Sequence, residues 1–363
     1  MKICFVADAS SVLVQIWVSF FAKQGHEVTL ISKCNANIPG AKVYAPKIFC
    51  SFKPFPNVVK AIFQNFLYYF YIVFKLREIK PEIINSIYLF PYGLYSVYSF
   101  CNAPQITSVF GSDILVLAKK YYLFRWLSKK IFNKSTLVQA DSKEIMKWSL
   151  KFGCPKNKML LLIIPGVDTK LFKRLQTRNP KLIISTRSLF PVYDVETTVR
   201  AFSVVLKKHP DTRLLVAGSG LLEEKLHQIA SELGINNKIT WLGKVKHEKL
   251  VEYLNKASIY ISSSLSDSTS VSLLEAMSMS LAIVVSDVPA NLEWIKHGYN
   301  GFVFKKKDYM AAAKYLIKFI ENQKLASTFR KRSREIVLKN ADYATNFRKF
   351  EEEFEKLIKQ SRK

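Results

Sequence analysis

Asp267 and Glu275 are the pair whose types and spacing speak most directly of chemistry. They stand eight positions apart in the stretch Ile259 to Ser280, where an apolar, β-rich run gives way to a serine-dense loop. A helix is expected to start near Val271. The first N–H groups of such a helix, around Ser270 to Leu273, have no partner within it, and its dipole adds positive potential at the same end. That combination suits a diphosphate. Glu275, one turn in, is placed to accept hydrogen bonds from sugar hydroxyls such as those of a ribose. A second reading fits the same residues. Ser272 and Glu275 have the Ser-x-x-Glu spacing of a capping box, which would make both of them helix punctuation.

Other candidates follow expected strands. Arg187 comes just after Lys181–Ser185, where a guanidinium can pair bidentately with phosphate oxygens, or make a local surface ion pair. Gly218 and Gly220 follow Arg213–Ala217 and open a helix, an arrangement that admits a ligand near the backbone or forms only a tight turn. The five histidines, His26, His209, His227, His247 and His297, lack metal-ligand spacing, and no Asp-x-Asp occurs. No metal and no cofactor are therefore expected.

The elements that must position these groups alternate short apolar runs with amphipathic stretches, the pattern of a parallel sheet. Strands are expected at Lys2–Val6, Glu27–Ile31, Glu82–Asn85, Gln105–Val109, Thr136–Ala140 and Met159–Ile164. A second series comprises Lys181–Ser185, Arg213–Ala217, Ile239–Leu242, Ile259–Ser262, Leu281–Ser286 and Gly301–Phe304. Between them lie Pro165-Gly166-Val167-Asp168 and a polar linker. The fold class is α/β, with two Rossmann-like doubly wound parallel-sheet domains at 1–170 and 171–342. A last helix, 343–363, is expected to return to the first domain. Ligands of such sheets bind beyond the C-terminal strand ends, here in a cleft faced by both domains.

The 363 residues and 49% hydrophobic content suffice for two cores. The five cysteines, Cys4, Cys34, Cys50, Cys101 and Cys154, form no close pair and suit free thiols in a reducing compartment. No signal peptide is evident. The longest apolar stretch, Ala61 to Phe74, is interrupted by Gln64 and Asn65 and is shorter than the ~20 residues of a membrane span. The formal net charge of +27 favours anionic surfaces, or reflects a lysine-rich proteome.

The run Asp267-Ser268-Thr269-Ser270-Val271-Ser272-Leu273-Leu274-Glu275 resembles the E-x7-E signature of retaining glycosyltransferases of GT-B fold, in particular glycosyltransferase family four. The resemblance implies a hexosyl- or hexosaminyltransferase that uses a nucleotide-diphosphate sugar and no metal. It implies donor contacts along Ser268 to Ser272, the ribose on Glu275 and the transferred sugar facing Asp267, catalytically the main carboxylate. This chain has Asp267 where Glu is usual, and Ser268 and Ser270 where glycines are usual. The family's diphosphate-binding arginine matches Arg187, while the position of its lysine holds Tyr193. The loop at Gly218 and Gly220 borders the nucleotide base in that family.

In the first domain, Met1–Val6 and Gly25-His26-Glu27-Val28 resemble the family's opening. The resemblance implies that Ser10 and Ser11 face the donor phosphates with their backbone. Phe110-Gly111-Ser112-Asp113 resembles the family's turn at the cleft, and Asp113 either touches acceptor or donor sugar, as a second catalytic carboxylate, or caps the following helix. The acceptor is expected to be a glycan or a lipid-linked substrate. An epimerase or phosphorylase on the same fold is the rival enzyme. A nucleic-acid-binding protein is the rival of another class, disfavoured because the basic residues form no single stripe.

The segment Lys119 to Lys134 is expected to be a helix with Tyr121, Phe124, Ile131 and Phe132 as its core stripe. Lys119, Lys120, Lys129 and Lys130, with Trp126 as interfacial aromatic, would then meet an anionic membrane, or form a solvated helix face with Trp126 against a neighbour. The enzyme is expected in the cytoplasm, peripheral on the inner face of the membrane.

Overall fold

The computed structural model describes residues 1–46, 58–175 and 179–362, and the side chains of 58–62 lie outside that description. Cys50 is likewise outside the described residues. The chain forms two compact units, Met1–Pro165 with Thr345–Lys363, and Gly166–Ala344. The division falls at Pro165, not at 170.

The first unit holds a seven-stranded parallel sheet in the order β3-β2-β1-β4-β5-β6-β7. Its strands are β1 (Lys2–Val6), β2 (Glu27–Ile31), β3 (Ala41–Tyr44), β4 (Ile83–Ile87), β5 (Gln105–Val109), β6 (Leu137–Ala140) and β7 (Met159–Leu161). The second unit holds a six-stranded parallel sheet, β10-β9-β8-β11-β12-β13. Its strands are β8 (Leu182–Ser185), β9 (Arg213–Ala217), β10 (Ile239–Gly243), β11 (Ile259–Ser262), β12 (Ala282–Ser286) and β13 (Phe302–Phe304). Central strands such as β11 and β12 are buried throughout, which is why they read as continuous apolar runs. Strand order reverses between β1 and β4 in one unit and between β8 and β11 in the other, the places where such sheets bind ligands.

Strand β3 was not among the expected strands. It is a four-residue edge strand, half-buried to exposed, and so carries no apolar run. The last helix, Tyr343–Ser361, belongs to the first unit from Thr345 onward. Its Phe347, Phe350 and Phe354, spaced three and four apart, are buried against the helix Val12–Lys23. Phe347 and Phe350 meet Trp17 edge-on at 5.7 and 5.4 Å, and Phe354 stacks on Phe21 at 4.9 Å. This aromatic cluster anchors a chain end that follows the second sheet.

The lysine-rich helix runs from Tyr122 to Lys134 and buries Ser128, Ile131 and Phe132. The expected core stripe is corrected at its first member. Tyr121 precedes the helix in extended conformation and is exposed, so it leaves the helical register that would have turned it inward. Among the described residues, no helix is long and apolar enough to cross a membrane.

Candidate active site

Arg187 leaves β8 and the Asp267–Ser270 loop leaves β11, so both stand at the point where the second sheet reverses its order. Arg187 is 7% exposed. One guanidinium nitrogen, Nη2, donates to Asp267 Oδ2 at 2.6 Å, and Nη1 donates to Ser270 Oγ at 2.6 Å and Ser272 Oγ at 2.8 Å. The Tyr193 ring lies under the guanidinium, 4.2 Å from its centroid to the central carbon. Tyr193 thus serves the arginine as an aromatic platform, a cation–π contact that adds no second charge. The buried Nε has no hydrogen-bond partner among the described residues.

The glycines have a packing reason. A Cβ on Gly218 would stand 2.2 Å from the carbonyl oxygen of Arg187, and one on Gly220 would stand 2.5 Å from that of Leu189. Two backbone bonds hold these loops together, from Leu189 N to Ser219 O at 3.0 Å and from Leu222 N to Leu189 O at 2.9 Å. The glycine loop therefore sets the course of the chain that carries Arg187.

The helix Val271–Ser278 is capped by Ser270, whose Oγ accepts from Leu273 N at 3.4 Å. This corrects the capping-box reading of Ser272 and Glu275. The cap lies two residues earlier, Ser272 faces Arg187, and Glu275 is 4% exposed and turned to His247. Glu275 Oε1 and His247 Nε2 are 2.7 Å apart, and the imidazole packs against Phe172 with centroids 4.9 Å apart. The hydrogen bond to Glu275 raises the His247 pKa, while burial raises that of Glu275 against the lowering pull of His247 and Arg187. Spacing gave no sign of His247. It heads the helix His247–Lys256, and only the fold brings it to Glu275. Asp267 also accepts from Ser268 N at 3.0 Å, and Ser268, Thr269 and Val271 are half-buried around it.

The first unit's loops are built differently. Asp8 Oδ1 accepts from Ser10 N at 2.9 Å and Ser10 Oγ at 2.7 Å, while Ser11 N donates to Asp8 O at 3.1 Å. The expectation that Ser10 and Ser11 offer their backbone to phosphates is corrected: both N–H groups already have partners within the turn. Burial works to raise the Asp8 carboxyl, but the bonds from Ser10 and Cys34 and the charge of Lys33 leave it net lowered.

Asp113 is 2% exposed and its Oδ2 accepts from Leu89 N at 2.8 Å. Its helix is preceded by Gly111, with no side-chain cap, so Asp113 ties the loop after β5 to the loop after β4 and does not cap its own helix. Burial pushes its pKa up to about 7, against hydrogen bonds from the backbone of Leu89, Phe110 and Phe90. Phe110 is buried between Trp17 at 6.2 Å and Tyr88 at 5.0 Å.

Two parallel-sheet domains of this topology define the GT-B class, and the comparisons agree with it. The structure of Anabaena HepE in complex with UDP-glucose superimposes with a TM-score of 0.79 at 15% identity, covering 98% of this chain and 100% of that one. The family model described as Glycosyl transferases group 1 matches residues 167–336, and that described as Glycosyl transferase 4-like matches residues 2–142. Neither match alone covers half of the chain; together they span most of both units and mark it as a glycosyltransferase. An uncharacterized glycosyltransferase of Methanocaldococcus jannaschii is 27% identical over 66% of this chain, a stretch that spans 63% of the relative. The N-acetyl-alpha-D-glucosaminyl L-malate synthase of Bacillus anthracis is 24% identical over 87% of this chain and 85% of its own length.

Proposed function

We propose that the enzyme moves a hexose or hexosamine from a nucleotide-diphosphate sugar to a glycan or lipid-linked acceptor, with retention of configuration and without a metal. The observation that carries this reading is the buried guanidinium of Arg187, aimed at the N-terminus of the Val271–Ser278 helix. A fixed cation beside a helix N-terminus is a preformed environment for a departing diphosphate. Arg187 now holds the carboxylate of Asp267, and a diphosphate oxygen is the anion able to take that place. Asp267 would then turn to hydroxyls of the transferred sugar, and Glu275, oriented by His247, would accept from the ribose. UDP-glucose bound to the Anabaena relative supports a donor of this kind.

Departure and attack share one face of the sugar. The bond from sugar C1 to the diphosphate oxygen breaks, and the acceptor hydroxyl oxygen bonds to C1 from the same side. The acceptor proton passes to the departing phosphate oxygen. Arg187 and the helix N–H groups stabilise the charge that develops there. Lys119 and Lys120, before the helix Tyr122–Lys134, and Trp126, Lys129 and Lys130 on it support work at the cytoplasmic face of a membrane, because each basic residue near an anionic leaflet adds about 1 kcal/mol.

The test is a panel of nucleotide-diphosphate sugars with a membrane extract as acceptor, in EDTA, with the product's anomeric configuration read by NMR. Retained configuration with full activity in EDTA is expected. Inversion, or activity restored only by magnesium or manganese, would overturn the mechanism.

A further inference from the structure

The helix Val58–Ile79 has two faces of unlike character. Tyr68, Ile72, Leu76 and Ile79 are buried in a cluster with Cys4, Val6, Ile31 and Ile84 of the first sheet. Phe63, Phe66, Leu67, Phe70 and Phe74 are exposed, Phe63 at 60% and Phe74 at 64%. Spacings of three and four place these five on one stripe.

The stripe runs into a groove of about 860 Å³ lined by Phe66, Tyr69, Phe90, Leu94, Tyr98 and Phe124 among others. The helix Tyr122–Lys134 contributes to the same groove and exposes Tyr122, Leu123 and Trp126. Contiguous apolar surface of this extent marks a contact with protein or membrane.

Charge favours the membrane. The sequence has no Asp or Glu between Glu27 and Glu78, and none between Asp113 and Asp141. Within those spans lie Lys33, at the groove rim, Lys75, beside the stripe, and Lys119, Lys120, Lys129 and Lys130. Exposed aromatics with basic groups in excess around them, Lys75 being paired with Glu78 at 2.7 Å and Lys33 set against the charge of Asp8, match a leaflet with anionic headgroups, which offers hydrocarbon and negative charge across the whole face.

We propose that this face lies in an anionic lipid monolayer and that the groove takes one hydrocarbon chain of a lipid molecule. Its volume falls in the ~300–1,000 Å³ range of small-molecule sites. Lys33, whose Nζ donates to Asn65 Oδ1 at 2.7 Å, meets the phosphate of that lipid at the rim. The site deepens the lipid-linked acceptor reading and rests on it for the lipid's identity, while binding itself needs no turnover.

The probe is a phosphatidylglycerol carrying a diazirine at the end of one acyl chain, mixed into phosphatidylcholine vesicles with the full chain. After photolysis, crosslinks are expected in peptides containing residues 63–74, 90–98 and 122–127. Phe63→Ser/Phe70→Ser/Phe74→Ser should keep the native circular dichroism and co-sediment with the vesicles at least about tenfold more weakly. Crosslinks elsewhere, or none, overturn the groove, and this arm stands even if the triple variant misfolds. Equal co-sedimentation of the folded variant overturns the stripe. Self-association of the native protein that the variant abolishes, with no vesicle binding by either, assigns the face to a second copy and overturns the proposal. Crosslinking as expected, with no transfer to any lipid-linked acceptor, retires the acceptor reading and leaves the lipid site standing.

Discussion

The two sheets reverse their strand order in the same way, yet the loops at the two reversals use charge in opposite ways. In the second unit a buried arginine holds a carboxylate and two hydroxyls, with its Nε unpartnered among the described residues, beside a helix N-terminus. In the first unit the carboxylate of Asp8 is bonded within its own turn and that of Asp113, at 2% exposure, to the neighbouring loop after β4. One arrangement keeps a cation where an outside anion can exchange for an inside one. The other closes its polar groups on themselves and fixes loop shape. Like topology therefore does not mean like chemistry, and the substitutions that follow should separate binding effects in one unit from stability effects in the other.

The largest effect is expected at Arg187. Arg187→Ala removes the cation and leaves Asp267 with no charged partner, and kcat/KM should fall roughly 10²–10³-fold, as for loss of one member of a buried charge pair. Gly218→Ala should approach that loss without touching a charge, because its Cβ would collide with the Arg187 carbonyl. Steady-state kinetics on both variants checks this, and a near-normal Gly218→Ala would separate the loop from the site.

Glu275→Ala should lower kcat/KM about 10- to 100-fold through the donor KM, since a hydrogen bond to a charged group contributes about 1.5–3 kcal/mol. Its unfolding transition should move little at pH 9, above the range in which its bond to His247 contributes stability, because Ser270 and not Glu275 caps the helix. A stability loss with unchanged kinetics would make Glu275 a structural residue.

In the first unit, Asp113→Ala should show the reverse pattern. The orphaned N–H of Leu89 costs about 1–3 kcal/mol, read as an earlier urea transition. Asp113→Asn, which keeps an acceptor oxygen, should recover part of it.

The smallest effects are in pH dependence. A carboxyl raised from ~3.9 to about 7 binds more protons folded than unfolded, so its contribution to stability falls as pH rises through that window. Asp113→Asn should flatten that fall. His247, raised by its bond to Glu275, contributes stability fully present below ~6.5 and lost as pH rises through its folded value. His247→Gln should flatten only this higher range, in urea unfolding followed from pH 5 to 9.

Much of the second unit was legible because its signals are local. Buried strands read as apolar runs, and the helix beginning at Val271 is announced by a serine-rich breaker. What escaped depends on contacts distant in sequence. His247 reaches Glu275 across 28 residues, and Leu89 reaches Asp113 across 24. Gly218 read as either a ligand loop or a tight turn, and a sequence cannot show the carbonyl of Arg187 lying where its Cβ would be. Strand β3 escaped because an edge strand needs no apolar run. The apolar stretch Ala61 to Phe74 read only as too short for a membrane span, and the fold shows which of its phenylalanines face outward.

The central claim is that Arg187 and the helix beginning at Val271 form a diphosphate site that works without a metal. Isothermal titration calorimetry with UDP, GDP, ADP and dTDP in EDTA tests it most directly. At least one should bind the native protein, and Arg187→Ala should weaken that binding about 10²-fold or more. Binding that requires added magnesium, or that survives Arg187→Ala unchanged, would contradict the account.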